Sequence, residues 1–189
     1  MENPKVRGLC THLPIWSDVQ SIPVVKVPTL PTGASGYWSL WSVRFAGSDE
    51  RQVKYLPIYI KPDGSFFAPA SNRIWDALCS DTVEVITGSS RENNSDIYQM
   101  LRAVAEEQGK LVFEDMLINY KADLSEKIDK GEYSFAARKR AIERIGLPEV
   151  KNYRLRQLVD EELNWAQQIK EKQQVYPELS LHIVFGIKG

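Results

Sequence analysis

Four side chains in this sequence have the chemistry of a soft metal ligand or an activated nucleophile: Cys10, His12, Cys79 and His182. Zinc asks for ligands in closely spaced pairs, and only Cys10 and His12 are near neighbours. A thiolate–imidazole pair would have to be built from the same distant residues, and His182 lies in an alternating run that reads as a strand. Carboxylates offer little more. Asp63 and Glu84 fall at predicted strand ends, but no Glu-x-Lys follows them, and the adjacent Glu171 and Lys172 lie on a solvated helix. The stretch "YLPIYIKPDGSFFAPASNRIWDAL" (residues 55–78) has the outline of a phosphate loop or a nucleophile elbow. A phosphate loop needs clustered glycines and a Lys-Ser/Thr pair, because backbone amides and the ammonium hold the phosphates. An elbow needs Gly-x-Ser-x-Gly. Neither is present. No catalytic residue, metal or cofactor is expected, and the chain is read as a non-enzyme that does not hydrolyse ATP.

Binding chemistry is better represented. Between Ser134 and Arg156 stand Arg138, Lys139, Arg140, Arg144, Lys151, Arg154 and Arg156 against Glu143 and Glu149, an excess of five positive charges. The preceding segment leans acidic, with Glu106, Glu107, Glu114, Asp115, Asp123, Glu126, Asp129 and Glu132. Two arrangements follow. The basic segment pairs with the acidic helix in an antiparallel hairpin, giving exposed ion pairs of about 0–1 kcal/mol each. Alternatively Arg138, Lys139, Arg140, Arg144 and Arg154 face outward and contact the phosphates of DNA or RNA. A near-neutral chain favours the first. Trp38, Trp41, Tyr55 and Tyr59 offer a second surface: an aromatic sheet face that stacks bases or docks a partner protein. Few cations accompany them (Arg44, Lys54), so core packing is the simpler role.

The chain has 189 residues, a formal net charge of −1 and 43% hydrophobic residues, which fits a globular protein with one well-buried core. Attraction to a polyanion must come from a local patch, since the whole molecule has no positive field. Two cysteines without a secretory signal read as reduced thiols, so the expectation is a cytoplasmic protein with no membrane segment.

The elements that must position these residues follow from periodicity. Residues 1–36 are punctuated by Pro14, Pro23, Pro28 and Pro31 and are predicted to be extended, with Val24, Val25 and Val27 along a sheet edge. "YWSLWSVRFA" alternates, placing Tyr37, Trp41, Val43 and Phe45 on one side and Trp38, Leu40 and Arg44 on the other. With "RQVKYLPIYI" it predicts a β-hairpin, and Pro57 assigns the second strand to an edge or a bulge. "KPDG" is a turn. It leads to a short helix with Ser71 as N-cap and Ile74, Trp75 and Leu78 on one face. "TVEVITG" reads as a strand and "SSRENNSD" as a polar loop. From Asp96 the period becomes helical. One helix, bent or broken near Gly109, is expected to end at Gly131. A second is expected over Ser134–Ile145, closing at Gly146 and Pro148, and a third over Tyr153–Gln174. The third buries Leu155, Leu158, Val159, Trp165 and Ile169. "ELSLHIVFGI" alternates Leu179, Leu181, Ile183 and Phe185 as a last strand returning to the sheet. The fold expected is α+β: a small, mostly antiparallel sheet on a bundle of three or four helices, with a closing C-terminal strand. Residues 1–90 are β-rich and 91–189 helical, joined as one structural unit.

The run "ARKRAIERIGLPEVKNYRLRQLVDEELNWAQQIKEKQQVYPELSLHIVFGI" resembles the carboxy-terminal end of large bacterial Swi/Snf-type, RapA-like helicases, including those of phage defence. The features that carry the resemblance are the basic "RKRAIERIG", the helix entry "NYRLRQL", the acidic-aromatic "EELNW" and the exit "YPELSLHIVFGI". "LPIYIKPDGSFFAPASNRIWDAL" is similar to a segment upstream of these in the same proteins. The motor of that family carries a phosphate loop and an Asp-Glu metal motif that have no counterpart here. "VDEELNW" lies in an amphipathic helix rather than after a buried strand. The resemblance therefore implies a non-catalytic accessory region that contacts nucleic acid, the helicase motor domain or another protein. The alternative is a stand-alone interaction module using the aromatic sheet face.

Overall fold

The computed structural model describes residues 22–46, 52–80, 82–90 and 94–189. Cys10, His12 and Pro14, and with them the metal and nucleophile readings that used Cys10 and His12, lie outside the described residues. In chain order the elements are β1 (Ile22–Lys26), β2 (Ser35–Ala46), β3 (Val53–Ile60), α1 (Ala68–Cys79), β4 (Glu84–Ser90), α2 (Asn94–Glu143), α3 (Pro148–Lys172) and β5 (Tyr176–Lys188). The fold is α+β. It divides into two compact units: the described parts of Met1–Arg44, Val53–Val112 and Glu178–Gly189, and the described parts of Phe45–Gln52 and Phe113–Pro177. The division falls inside α2.

The first unit is built on a five-stranded sheet of order β3-β2-β5-β1-β4. β2 and β3 form the antiparallel hairpin that their alternation predicts, with Trp38 opposite Tyr59 and Trp41 opposite Leu56. β3 is an edge strand, as Pro57 requires of a residue without an N–H. β1 is not at an edge, as its proline had implied. It lies between β4, antiparallel, and β5, parallel, and Pro23 is accommodated by a register shift before Val24. β5 occupies the middle of the sheet. Its run Ile183–Ile187 is buried throughout because neighbours cover both faces, so a simple alternation does not describe it. Leu179 and Leu181 pack on the side of Trp41 and Val184, whereas Ile183, Phe185 and Ile187 pack on the side of Trp38. The strand changes phase at His182.

α1 covers one face of the sheet, where Ile74, Ala77 and Leu78 meet Trp38, Leu40, Tyr59 and Phe185. The start of α2 covers the other, where Ile97, Leu101 and Ala105 meet Tyr37, Trp41, Ile58 and Ile60. Each fully buried large side chain here contributes about 1.5–3 kcal/mol. α1 begins earlier than its serine predicts. Pro69 pre-sets the first turn, Phe67 takes the N-cap position, and Ser71 sits within the helix and is buried. The Ser71 hydroxyl instead accepts the Tyr59 N–H at 2.8 Å, and the Ser71 carbonyl accepts the Trp38 indole N–H at 3.0 Å. Lys61–Gly64 closes as a tight turn, the Gly64 N–H donating to the Lys61 carbonyl at 2.9 Å, with Gly64 at φ +82°. The corner at residues 55–78 is thus a packing device that fastens the hairpin to α1.

The second unit is a helical hairpin. α2 runs 50 residues without a break, through both Gly109 and Gly131, so the two helices expected on either side of Gly131 are one. Gly131 sits inside the helix because of proximity: a β-carbon there would overlap the Trp165 ring. The chain reverses at Gly146–Leu147, and Pro148 opens α3. Only Leu158 of α3 is fully buried; Val159, expected inside, is exposed. Phe135 packs against Trp165 at 5.4 Å, and Phe45 against Tyr120 at 5.0 Å. Both helix ends of the hairpin are tied: the Lys151 ammonium donates to the Glu143 carbonyl at 3.2 Å, and the Tyr120 hydroxyl to the Lys172 carbonyl at 2.7 Å.

Candidate nucleic-acid interface

Arg138, Lys139 and Arg140 lie in the last turns of α2, and Arg144 follows directly after it. Lys151, Arg154 and Arg156 lie in the first turns of α3. The turn at Gly146 therefore folds one basic segment back onto another. This differs from the hairpin in which the basic segment pairs with the acidic one. Of the carboxylates of α2, Glu143 lies at the tip, and the next, Glu132, comes six residues before Arg138. Among the described residues, Arg138 is the one of the five candidates that forms an ion pair, with Glu161 of α3 at 2.6 Å. Among the described residues no carboxylate lies within ion-pair distance of Lys139, Arg140, Arg144 or Arg154, and all four are exposed.

The seven cations and two carboxylates of residues 134–156 thus surround one end of a two-helix arm. Held together in water, such charges repel weakly at each pair but collectively favour any polyanion that replaces their counterions. Between the helices at this end lies an open groove of about 330 Å3, with Ile142, Ile145 and Leu158 in its floor and Arg138, Arg154 and Glu161 at its rim. Leu147, Val150 and Tyr153 add exposed apolar surface beside the cations. A basic rim over an apolar floor suits contact with a phosphate backbone, which positions a protein without reading base edges.

The aromatic candidates divide differently from expectation. Trp38, Trp41 and Tyr59 are 0%, 3% and 4% exposed and form the two core layers on either side of the sheet. They cannot form an exposed stacking or docking face, because α1 and α2 cover them. Tyr55 alone is exposed, with its ring edge-on to His182 at 5.7 Å.

A polar cluster around His182 was not legible in the sequence. His182 Nε2 is 2.8 Å from Ser42 Oγ across β5 and β2, and Arg44 pairs with Glu178 beside them. Burial, and then the charge of Arg44, lower the His182 pKa and favour the neutral ring. A serine–histidine contact has the outline of a nucleophile and its base. Ser42, however, is buried in mid-strand, which makes the pair a polar tie between strands. The sequence carries no signal for it, because Leu179, Leu181, Ile183 and Phe185 alternate without interruption through His182. Asp63 and Glu84 are not brought together: Asp63 accepts two hydrogen bonds from Ser65, which hold its carboxyl below the ordinary range, and Glu84 faces Lys26 at 3.9 Å. Among the described residues no three His, Cys, Asp or Glu side chains gather as a metal site, and no helix is long and apolar enough to cross a membrane.

No protein-family model matches the chain, and no curated protein matches it.

Proposed function

We propose that this chain is a non-catalytic accessory domain of a RapA-like helicase that grips the phosphate backbone of nucleic acid with the tip of its helical hairpin. The observation that carries the reading is the gathering of Lys139, Arg140, Arg144 and Arg154 at one end of the α2–α3 arm without carboxylate partners among the described residues. Folding that brings like charges together costs electrostatic free energy, and a polyanion offsets it. The mechanism is counterion release: each phosphate neutralised frees condensed cations, and binding weakens as salt rises. Such contacts position an arm on a duplex or single strand without selecting a sequence. ATP turnover belongs to a motor of the kind the sequence resembles, so the purified chain is expected to release no phosphate from nucleoside triphosphates.

The test is fluorescence anisotropy with labelled duplex and single-stranded DNA and RNA at low and moderate salt. The expected result is salt-sensitive binding that falls at least about tenfold in Lys139→Gln/Arg140→Gln/Arg154→Gln. Binding undiminished by that triple substitution, or no binding at low salt, would overturn the proposal.

A further inference from the structure

The groove between the helices is not where the charge of the tip lies. Its floor is Ile142, Ile145 and Leu158, and the charged residues that line it, Arg138, Arg154 and Glu161, leave an excess of one positive charge. Arg138 is paired to Glu161 and lies over the Phe135 ring, 5.8 Å from its centroid. Asp160 and Glu162 flank Glu161 in the chain. Lys139, Arg140 and Arg144, which have no carboxylate partner among the described residues, are not part of the lining. A phosphate seated in the groove would give up water over an apolar floor and would meet Glu161, unfavourable on both counts. A phosphate suits the three cations outside, and the groove suits a neutral, apolar part of the same ligand.

Beside the groove stands Tyr153. It is 60% exposed, and its hydroxyl accepts the side-chain N–H of Gln157, a lining residue one turn on, at 3.0 Å. We infer that the groove takes an unstacked base of a single-stranded nucleic acid, with Tyr153 as its stacking neighbour and the strand's phosphates on Lys139, Arg140 and Arg144. The base is the part of a nucleic acid with uncharged faces, and stacking on an aromatic ring covers them whatever the sequence. In a duplex those faces are already covered by neighbouring pairs, and a base must be unpaired before it can enter. The groove holds about 330 Å3, the low end of the roughly 300–1,000 Å3 of small-molecule sites, which suits one planar ring system. The inference rests on the nucleic-acid reading and narrows it to single strands.

Fluorescence anisotropy on the full chain with three labelled ligands of equal length tests this: an oligothymidylate, the same phosphodiester chain built on abasic sugars, and a duplex. The unaltered chain is expected to bind the oligothymidylate at least about tenfold more tightly than the abasic strand, which offers the same phosphates and no base. Two variants locate the contact. Tyr153→Ala removes the stacking ring, and Ala141→Leu fills the groove from an exposed helical position. Each is expected to lose about fivefold or more on oligothymidylate and to bind the abasic strand and the duplex as the unaltered chain does. The slope of log affinity against log salt is expected to stay unchanged in both, because no phosphate contact is removed. Equal affinity of the unaltered chain for the abasic strand and oligothymidylate, or a loss in the variants that extends equally to the duplex, overturns the inference and leaves the proposed function. Binding of none of the three ligands at low salt removes the proposed function, and this inference with it.

Discussion

Gly131 of α2 faces the Trp165 indole of α3 so closely that a β-carbon would overlap the ring. The glycine weakens its helix by about 1 kcal/mol relative to alanine. It lets the two helices of the hairpin approach with the indole between them. Gly131→Ala therefore gains helix propensity and loses more to overpacking, which costs about 1–3 kcal/mol. A lowered melting temperature by circular dichroism is the expected outcome. A raised one would show that the indole moves aside freely.

Ser71 joins three elements through short polar contacts: its hydroxyl accepts from Tyr59 N–H of β3, and its carbonyl accepts from the Trp38 indole of β2. Ser71→Ala keeps the carbonyl but strands a buried backbone N–H. The expected loss is about 1–3 kcal/mol, read as a lower urea midpoint with unchanged slope. A wild-type midpoint would mean that Tyr59 N–H finds another partner.

His182 makes stability depend on pH. Its pKa in the folded chain is lowered, first by burial and then by Arg44, with Ser42 and Tyr55 also against the ring and Glu178 paired to Arg44. The unfolded chain thus binds the proton more readily than the folded one. The stabilisation is fully present above about pH 6.5 and is lost as pH falls from there through the lowered folded value. His182→Asn is expected to flatten that part of the stability–pH profile. A profile of unchanged slope in the variant would assign the acid sensitivity to other groups.

The tip cations differ in what their removal does. Arg154→Gln and Arg140→Gln remove unpaired exposed charges and are expected to leave folding stability within about 0.5 kcal/mol. Each lowers the slope of log affinity against log salt by roughly one for nucleic acid. Arg138→Gln separates an ion pair with Glu161 and is expected to reduce affinity less. Titrations at several salt concentrations check this, and equal slopes in wild type and variants would place the phosphates elsewhere.

Much of the architecture follows from side-chain pattern. The alternation of β2, the edge position of β3 imposed by Pro57, the positive φ of Gly64 and the reversal at Gly146–Pro148 are local consequences of residue type. They could be read because each depends on steric or hydrogen-bonding properties of a few consecutive residues. The readings that failed depend on partners far along the chain. Gly131 looks like a helix end until Trp165 occupies the space beside it. Ser71 looks like a cap until Tyr59 supplies the N–H that it binds.

The same division governs the candidate site. The sequence by itself determined that seven cations occur between Ser134 and Arg156 and that the turn lies in their midst. The tertiary structure decided their arrangement, because the length of α2 and the position of the reversal set which charges become neighbours. With α2 unbroken through Gly131, basic residues meet basic residues at the tip and most of the carboxylates are left toward the base. Charge is a property of composition, whereas pairing is a property of distance, and distance is fixed only when the helices pack.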